Sequence, residues 1–233
     1  MGKEERVIND RLQKLIEGME KVGYNNYMIG LAEEVVNELQ QRGVYCVDRF
    51  IQKLFGRINE NENEGYLDIL REGRTAVILA RNKFSEVQIE FSERGPDLKA
   101  DYNKCTVYFE VTRSRPNEDD KQVQSGAAFV SPKSIENIIA KIQGKLRQLK
   151  SGEINIVVIW SDTVTLLPPD IKEAIKCIQQ EICQNPGVYK DLSGVLYTES
   201  GEAKYPKNFV LFKNDNASKP LGTCLTKKLQ SLK

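Results

Sequence analysis

Residues 154–160 read Ile154, Asn155, Ile156, Val157, Val158, Ile159 and Trp160, an apolar run with a single polar interruption. A strand that is apolar on successive positions must be covered on both faces, so this run asks for a sheet with helices above and below it. The segment before it supplies such a cover: Ile135, Ile138, Ile139, Ile142, Leu146 and Leu149 recur at helical spacing and form one apolar stripe.

The same reading extends in both directions. Residues 64–83 predict a helix with Leu67, Leu70, Ala76, Val77, Ile78, Leu79 and Ala80 as apolar positions, weakened in its middle by Gly73. Residues 86–91 alternate as a strand. Downstream, Pro168 and Pro169 open a helix over 170–183, Pro186 and Gly187 stop it, and strands follow at 192–198 and 209–212. The tail from 216 to 233, ending in Lys227, Lys228 and Lys233, is expected to be solvated or to add a weak basic touch. The expected class is α/β, a mixed central sheet flanked by helices.

Ahead of this core, residues 4–22, 27–41 and 47–58 carry helical apolar spacing, with Gly23 and Asn25 as a stop and a new start. The acidic Asn/Glu stretch at 59–65 marks the expected boundary, giving an N-terminal helical region at 1–63 and a core domain at 64–233. The apolar faces of the three helices either pack on the core or serve as a homodimerisation surface.

The chemistry concentrates in residues 97–112. From Thr106 to Thr112, Val107, Phe109 and Val111 fall on one side of a strand and Thr106, Tyr108, Glu110 and Thr112 on the other. Residues 97–102 alternate likewise, and Asn103-Lys104 has the length and composition of a two-residue hairpin turn. Antiparallel pairing through that turn brings Asp97 back towards Glu110 and Thr112. Two carboxylates and a backbone carbonyl suit a hard cation such as Mg²⁺ or Mn²⁺, which can activate water and offset phosphate charge.

Pro96-Asp97, the hairpin, and Glu110-Val111-Thr112 together resemble the core of the PD-(D/E)XK nuclease superfamily, the restriction-endonuclease-like fold. The resemblance covers residues 64–160 in the order helix, strand, acidic hairpin, helix, buried strand. It implies a Mg²⁺-dependent endonuclease acting on nucleic acid, DNA in the first instance, with Asp97, Glu110 and the carbonyl of Val111 as metal ligands. A third acid on the first core helix would be Glu72, with Glu64 and Asp68 as alternatives, or else Glu72 is a surface charge beside Arg71 and Arg74.

The family lysine, two residues after the glutamate, is replaced here by Thr112. Threonine carries no positive charge, so it can at most position a water. Either another cation fills the space, or the fold persists without chemistry as a module that binds nucleic acid or a protein partner. Lys141, Lys145 and Gln148 share one side of the following helix, flanking its apolar stripe. Lys145 is the first candidate for the displaced cation, Lys141 the second, and Lys99 the third. They could equally be the wet side of an amphipathic helix. Arg113 and Arg115, with Gln148, are candidates for phosphate contacts, since guanidinium groups bind phosphate oxygens in pairs.

Composition narrows the alternatives. The chain of 233 residues contains no histidine, which excludes Ser-His-Asp and Cys-His catalysis and histidine-ligated zinc. A net charge of +1 argues against a non-specific DNA coater, so any nucleic-acid surface should be a local patch. Five cysteines without a Cys-x-x-Cys pair, no signal-like leader and no apolar run long enough for a membrane span lead to the expectation of a cytoplasmic protein with no membrane partner.

Overall fold

The computed structural model describes residues 3–59, 63–89, 95–114, 132–161, 168–199 and 209–232. In chain order they form α1 (Lys3–Val22), α2 (Asn26–Gln41), α3 (Val47–Asn59), α4 (Asn63–Arg81), β1 (Ser85–Ile89), β2 (Leu98–Tyr102), β3 (Cys105–Ser114), α5 (Pro132–Lys145), a 3₁₀ turn (Leu146–Gln148), β4 (Ile154–Ser161), α6 (Pro168–Gln184), β5 (Gly194–Glu199), β6 (Phe209–Lys213) and α7 (Thr223–Gln230). The class is α/β: a six-stranded mixed sheet, its strand order following the chain, flanked by helices. The described residues fall into two compact units, one holding α1–α4 with β1 and β2, the other running from Thr106 onward.

In the first unit, α1 ends where Gly23 takes a left-handed φ of 90° and Tyr24 N–H closes on the Met19 carbonyl at 3.0 Å. Asn25 then caps α2, its Oδ1 accepting from Met28 N–H at 2.9 Å. The apolar stripes of the first three helices are covered inside this unit. Leu12, Leu15 and Met19 of α1, Val35, Val36 and Leu39 of α2, and Phe50, Leu54 and Ile58 of α3 are all buried. Gly73, which helix propensity alone counts as a weakness, sits where α4 is pressed against Phe50 of α3 and Val35 of α2. A Cβ there would lie 2.5 Å from Phe50 Cζ and 2.7 Å from Val35 Cγ1. Asn103 and Lys104 adopt φ of 48° and 66°, the left-handed pair that a two-residue turn after β2 requires.

In the second unit, β3 and β4 pair in parallel with Val107 opposite Ile154 and Ser114 opposite Ser161; β4 and β5 continue in parallel, and β6 closes antiparallel. One face of these strands packs against α5 and α6. Val157, Ile159, Val195 and Tyr197 from the sheet meet Ile138 and Ile142 of α5 and Ala174, Ile178 and Ile182 of α6. At the entry to β4, Asn155 is fully buried and knits three segments. Its Nδ2 donates to the carbonyls of Lys150, Glu153 and Asp191 at 2.8–2.9 Å, and its Oδ1 accepts from Lys150 N–H at 2.9 Å.

The tail departs from expectation. Leu221, Leu225, Leu229 and Leu232 are buried, and α7 lies against β6. The four leucines recur at helical spacing, but the Gly, Pro and Lys residues around them mask that pattern in the sequence.

Candidate active site on β3

Alternation along β3 places Tyr108, Glu110, Thr112 and Ser114 on one side and Phe109, Val111 and Arg113 on the other. The register sets Glu110 beside Val157 and Thr112 beside Ile159, and both partners belong to the apolar cluster under α5 and α6. Glu110 therefore faces the helices. Its side chain has 0 % exposure, and its Oε2 accepts a hydrogen bond from Lys145 Nζ at 2.8 Å.

Lys145 reaches it because Ile138 and Ile142 anchor α5 on the sheet, and a residue three beyond Ile142 lies on the flank of that stripe. Its side chain is 22 % exposed. A carboxylate removed from water is strongly disfavoured without such a partner.

A second lysine follows the same line. Lys150 Nζ lies 2.8 Å from the Tyr108 hydroxyl and 4.5 Å from the centre of its ring. Sequence reading passed over this pair. The available signal was Tyr108 two residues before Glu110 and Lys150 five residues after Lys145, opposite directions of travel along two antiparallel elements.

The remaining candidates are distributed as follows. Thr112 is half-buried on the Glu110 side, Gln148 is half-buried in the 3₁₀ turn, and Lys141 is exposed. Arg113 is only 5 % exposed and, one residue out of phase with Glu110, belongs to the opposite face beside Trp160. It is thus buried in the strand layer, away from the solvent-facing position that the expected phosphate contact needs. Arg115 and the other residues at 115–131 lie outside the described residues.

Asp97, half-buried just ahead of β2, and Lys99 belong to the first unit. So does Glu72, whose Oε2 accepts from Lys53 Nζ at 2.8 Å with 9 % of its side chain exposed. Arg71 and Arg74 beside it are buried as well, so this stretch of α4 is an interior charged layer rather than a solvated surface.

An open cleft of about 490 Å³ lies elsewhere on the second unit, lined by Gln143, Leu146, Arg147, Glu181, Asn185, Val188 and Tyr189. It includes neither Glu110 nor Lys145. The Tyr189 hydroxyl donates to Glu181 and accepts from Gln143 Nε2 at 3.2 Å, and burial, reinforced by Glu181, raises its pKa above the ordinary phenol value.

No family model, curated protein or solved structure matches the chain. Among the described residues no helix is long and apolar enough to cross a membrane. Likewise, no group of three or more His, Cys, Asp or Glu side chains is placed to hold a metal ion. The Glu110 carboxylate and the Val111 carbonyl are nonetheless hard oxygen donors. Magnesium commonly takes one or two carboxylates and keeps its waters, so this donor set suits Mg²⁺ and not a thiolate- or imidazole-bound metal.

Proposed function

We propose that the chain is a metal-dependent nuclease of the restriction-endonuclease-like type, hydrolysing phosphodiester bonds with DNA as the expected substrate. The observation that carries this reading is the ammonium group of Lys145 beside the buried carboxylate of Glu110. It supplies, from a helix, the positive charge that Thr112 does not supply from the strand.

Glu110 and the Val111 carbonyl would hold Mg²⁺ or Mn²⁺. Asp97, the other acid of the motif, enters on the sequence resemblance alone. When bound, such an ion acts as a Lewis acid and lowers the pKa of a coordinated water. Lys145, with three donor hydrogens, can orient a water or a non-bridging phosphate oxygen while staying in contact with Glu110. The Thr112 hydroxyl, on the same side of β3, can accept or donate one further hydrogen bond to that water.

The complete burial of the Glu110 side chain favours a second reading, in which the ion pair holds α5 to β3 and the module binds nucleic acid or a protein without turnover. Incubation of the purified chain with Mg²⁺ or Mn²⁺ and single- or double-stranded DNA decides between them. The nuclease reading expects cleavage that disappears in Glu110→Ala, Asp97→Ala and Lys145→Ala and partly survives in Lys145→Arg. Cleavage unaffected by all these changes would discard the assigned site, and DNA affinity without cleavage would establish the binding module.

A further inference from the structure

The cleft at the C-terminal ends of α5 and α6 takes no part in the Glu110 site, and its polar groups are arranged in advance. Tyr189, 2 % exposed, forms its floor; its ring belongs to the apolar cluster, and its carbonyl accepts from Asn214 Nδ2 at 3.1 Å. The Tyr189 hydroxyl and Gln143 Nε2 donate to one and the same oxygen of Glu181, Oε2, the amide at 3.0 Å. These two bonds orient the carboxylate. Its other oxygen, Oε1, keeps its lone pairs and makes no hydrogen bond to any described residue.

Arg147 brings the opposite charge to the same cleft. It is exposed and makes no ion pair among the described residues, Glu181 included. The apolar part of the lining is Leu146 and Val188, the latter 61 % exposed and held in place by its N–H, which donates to the Asn185 carbonyl at 3.1 Å. The volume of about 490 Å³ falls within the range of small-molecule sites, about 300–1,000 Å³. A purely anionic ligand would complement Arg147 and be repelled by Glu181, and a purely cationic one would meet the reverse. Two opposite charges that line one cleft without closing on each other are complemented by a ligand that carries both.

We propose that this cleft binds a small zwitterion with an apolar side group, an α-amino acid or a dipeptide. Its carboxylate lies against the guanidinium of Arg147, whose paired donors suit two carboxylate oxygens. Its ammonium donates to Glu181 Oε1, and its side group rests on Leu146 and Val188. The site is separate from the hydrolase reading and contains none of the residues assigned to it.

The test is titration of the full-length chain with L-leucine and with glycyl-L-leucine, followed by amide NMR. Binding of either supports the site, and the tighter of the two gives the length of the ligand. N-acetyl-L-leucine lacks the ammonium and L-leucinamide lacks the carboxylate, so each should bind about tenfold more weakly than L-leucine, the loss expected for a hydrogen bond between charged groups. Arg147→Gln should erase the preference for L-leucine over L-leucinamide, Glu181→Gln should erase the preference over N-acetyl-L-leucine, and Lys172→Gln on α6 should leave both preferences intact. The proposal is overturned if neither zwitterion binds the unaltered chain, if the preferences persist in both glutamine variants, or if thymidine monophosphate binds as tightly as L-leucine, which would make the cleft a site for anions.

Discussion

Lys145 Nζ and Glu110 Oε2 stand 2.8 Å apart across 35 residues of sequence, with the carboxylate side chain wholly inaccessible to solvent. Removing one partner of such a pair leaves a buried charge uncompensated, which costs about 3–5 kcal/mol, whereas replacing both by apolar residues of similar volume is often neutral or stabilising. Lys145→Met alone should lower the unfolding free energy by that amount, and Lys145→Met with Glu110→Leu should recover most of it. Urea denaturation of the two variants measures the difference. A single variant as stable as the unaltered chain would mean that water already reaches the carboxylate.

Gly73 and Gly30 should respond with opposite signs to the same substitution. A methyl group at Gly73 meets Phe50 and Val35, while one at Gly30 on α2 meets nothing within 4 Å. Gly73→Ala is expected to destabilise by about 1–3 kcal/mol through overpacking. Gly30→Ala is expected to stabilise by about 0.5–1 kcal/mol through reduced backbone freedom in the unfolded chain. Thermal melts of both variants under one set of conditions provide the check.

Asn155 gathers carbonyls from Lys150, Glu153 and Asp191 with one amide group. Asn155→Ala should cost about 1–3 kcal/mol, the range expected when buried polar groups lose their partner. Asn155→Asp should cost more, because a carboxylate brings lone pairs, not donors, to the same three oxygens. Equal stability of the two variants in chemical denaturation would contradict the donor role of the side chain.

Tyr66 lies in the core with its hydroxyl donating to the Met28 carbonyl at 3.2 Å. Burial first, and then the neighbouring Tyr24, raise its pKa well above the ordinary value of 10.0. Above about pH 10 the unfolded chain therefore releases a proton that the folded chain keeps, and stability falls as pH rises. The contribution of this one group is about 1.4 kcal/mol per pH unit beyond that point. Tyr66→Phe should start lower, having lost a hydrogen bond, and decline less steeply. Denaturation midpoints between about pH 9 and 11 give the slopes.

Periodicity made much of this molecule readable before its coordinates. The stripe of Ile138 and Ile142 that called for a helix over a sheet is the stripe packed on Val157 and Ile159. The flanking position that singled out Lys145 is the position that meets Glu110. Asn103-Lys104 carried its turn in its composition. What stayed hidden depends on partners far away in sequence. Glu72, Arg71 and Arg74 look like surface charge because nothing local shows that the layer is interior, or that Lys53 from α3 closes on Glu72. Gly73 looked like a defect because the close approach of Phe50 and Val35 is tertiary. Arg113 looked available because a strand's alternation gives two faces without stating which is roofed.

Since the ammonium group at Glu110 arrives on α5 and not on the strand, its placement is inherited from the hydrocarbon seating of that helix. Enlarging or trimming Ile142 would slide the charged tip by fractions of an ångström without touching a polar atom. Thr112, uncharged and half-buried on the same side of β3, takes no part in the charge balance around Glu110.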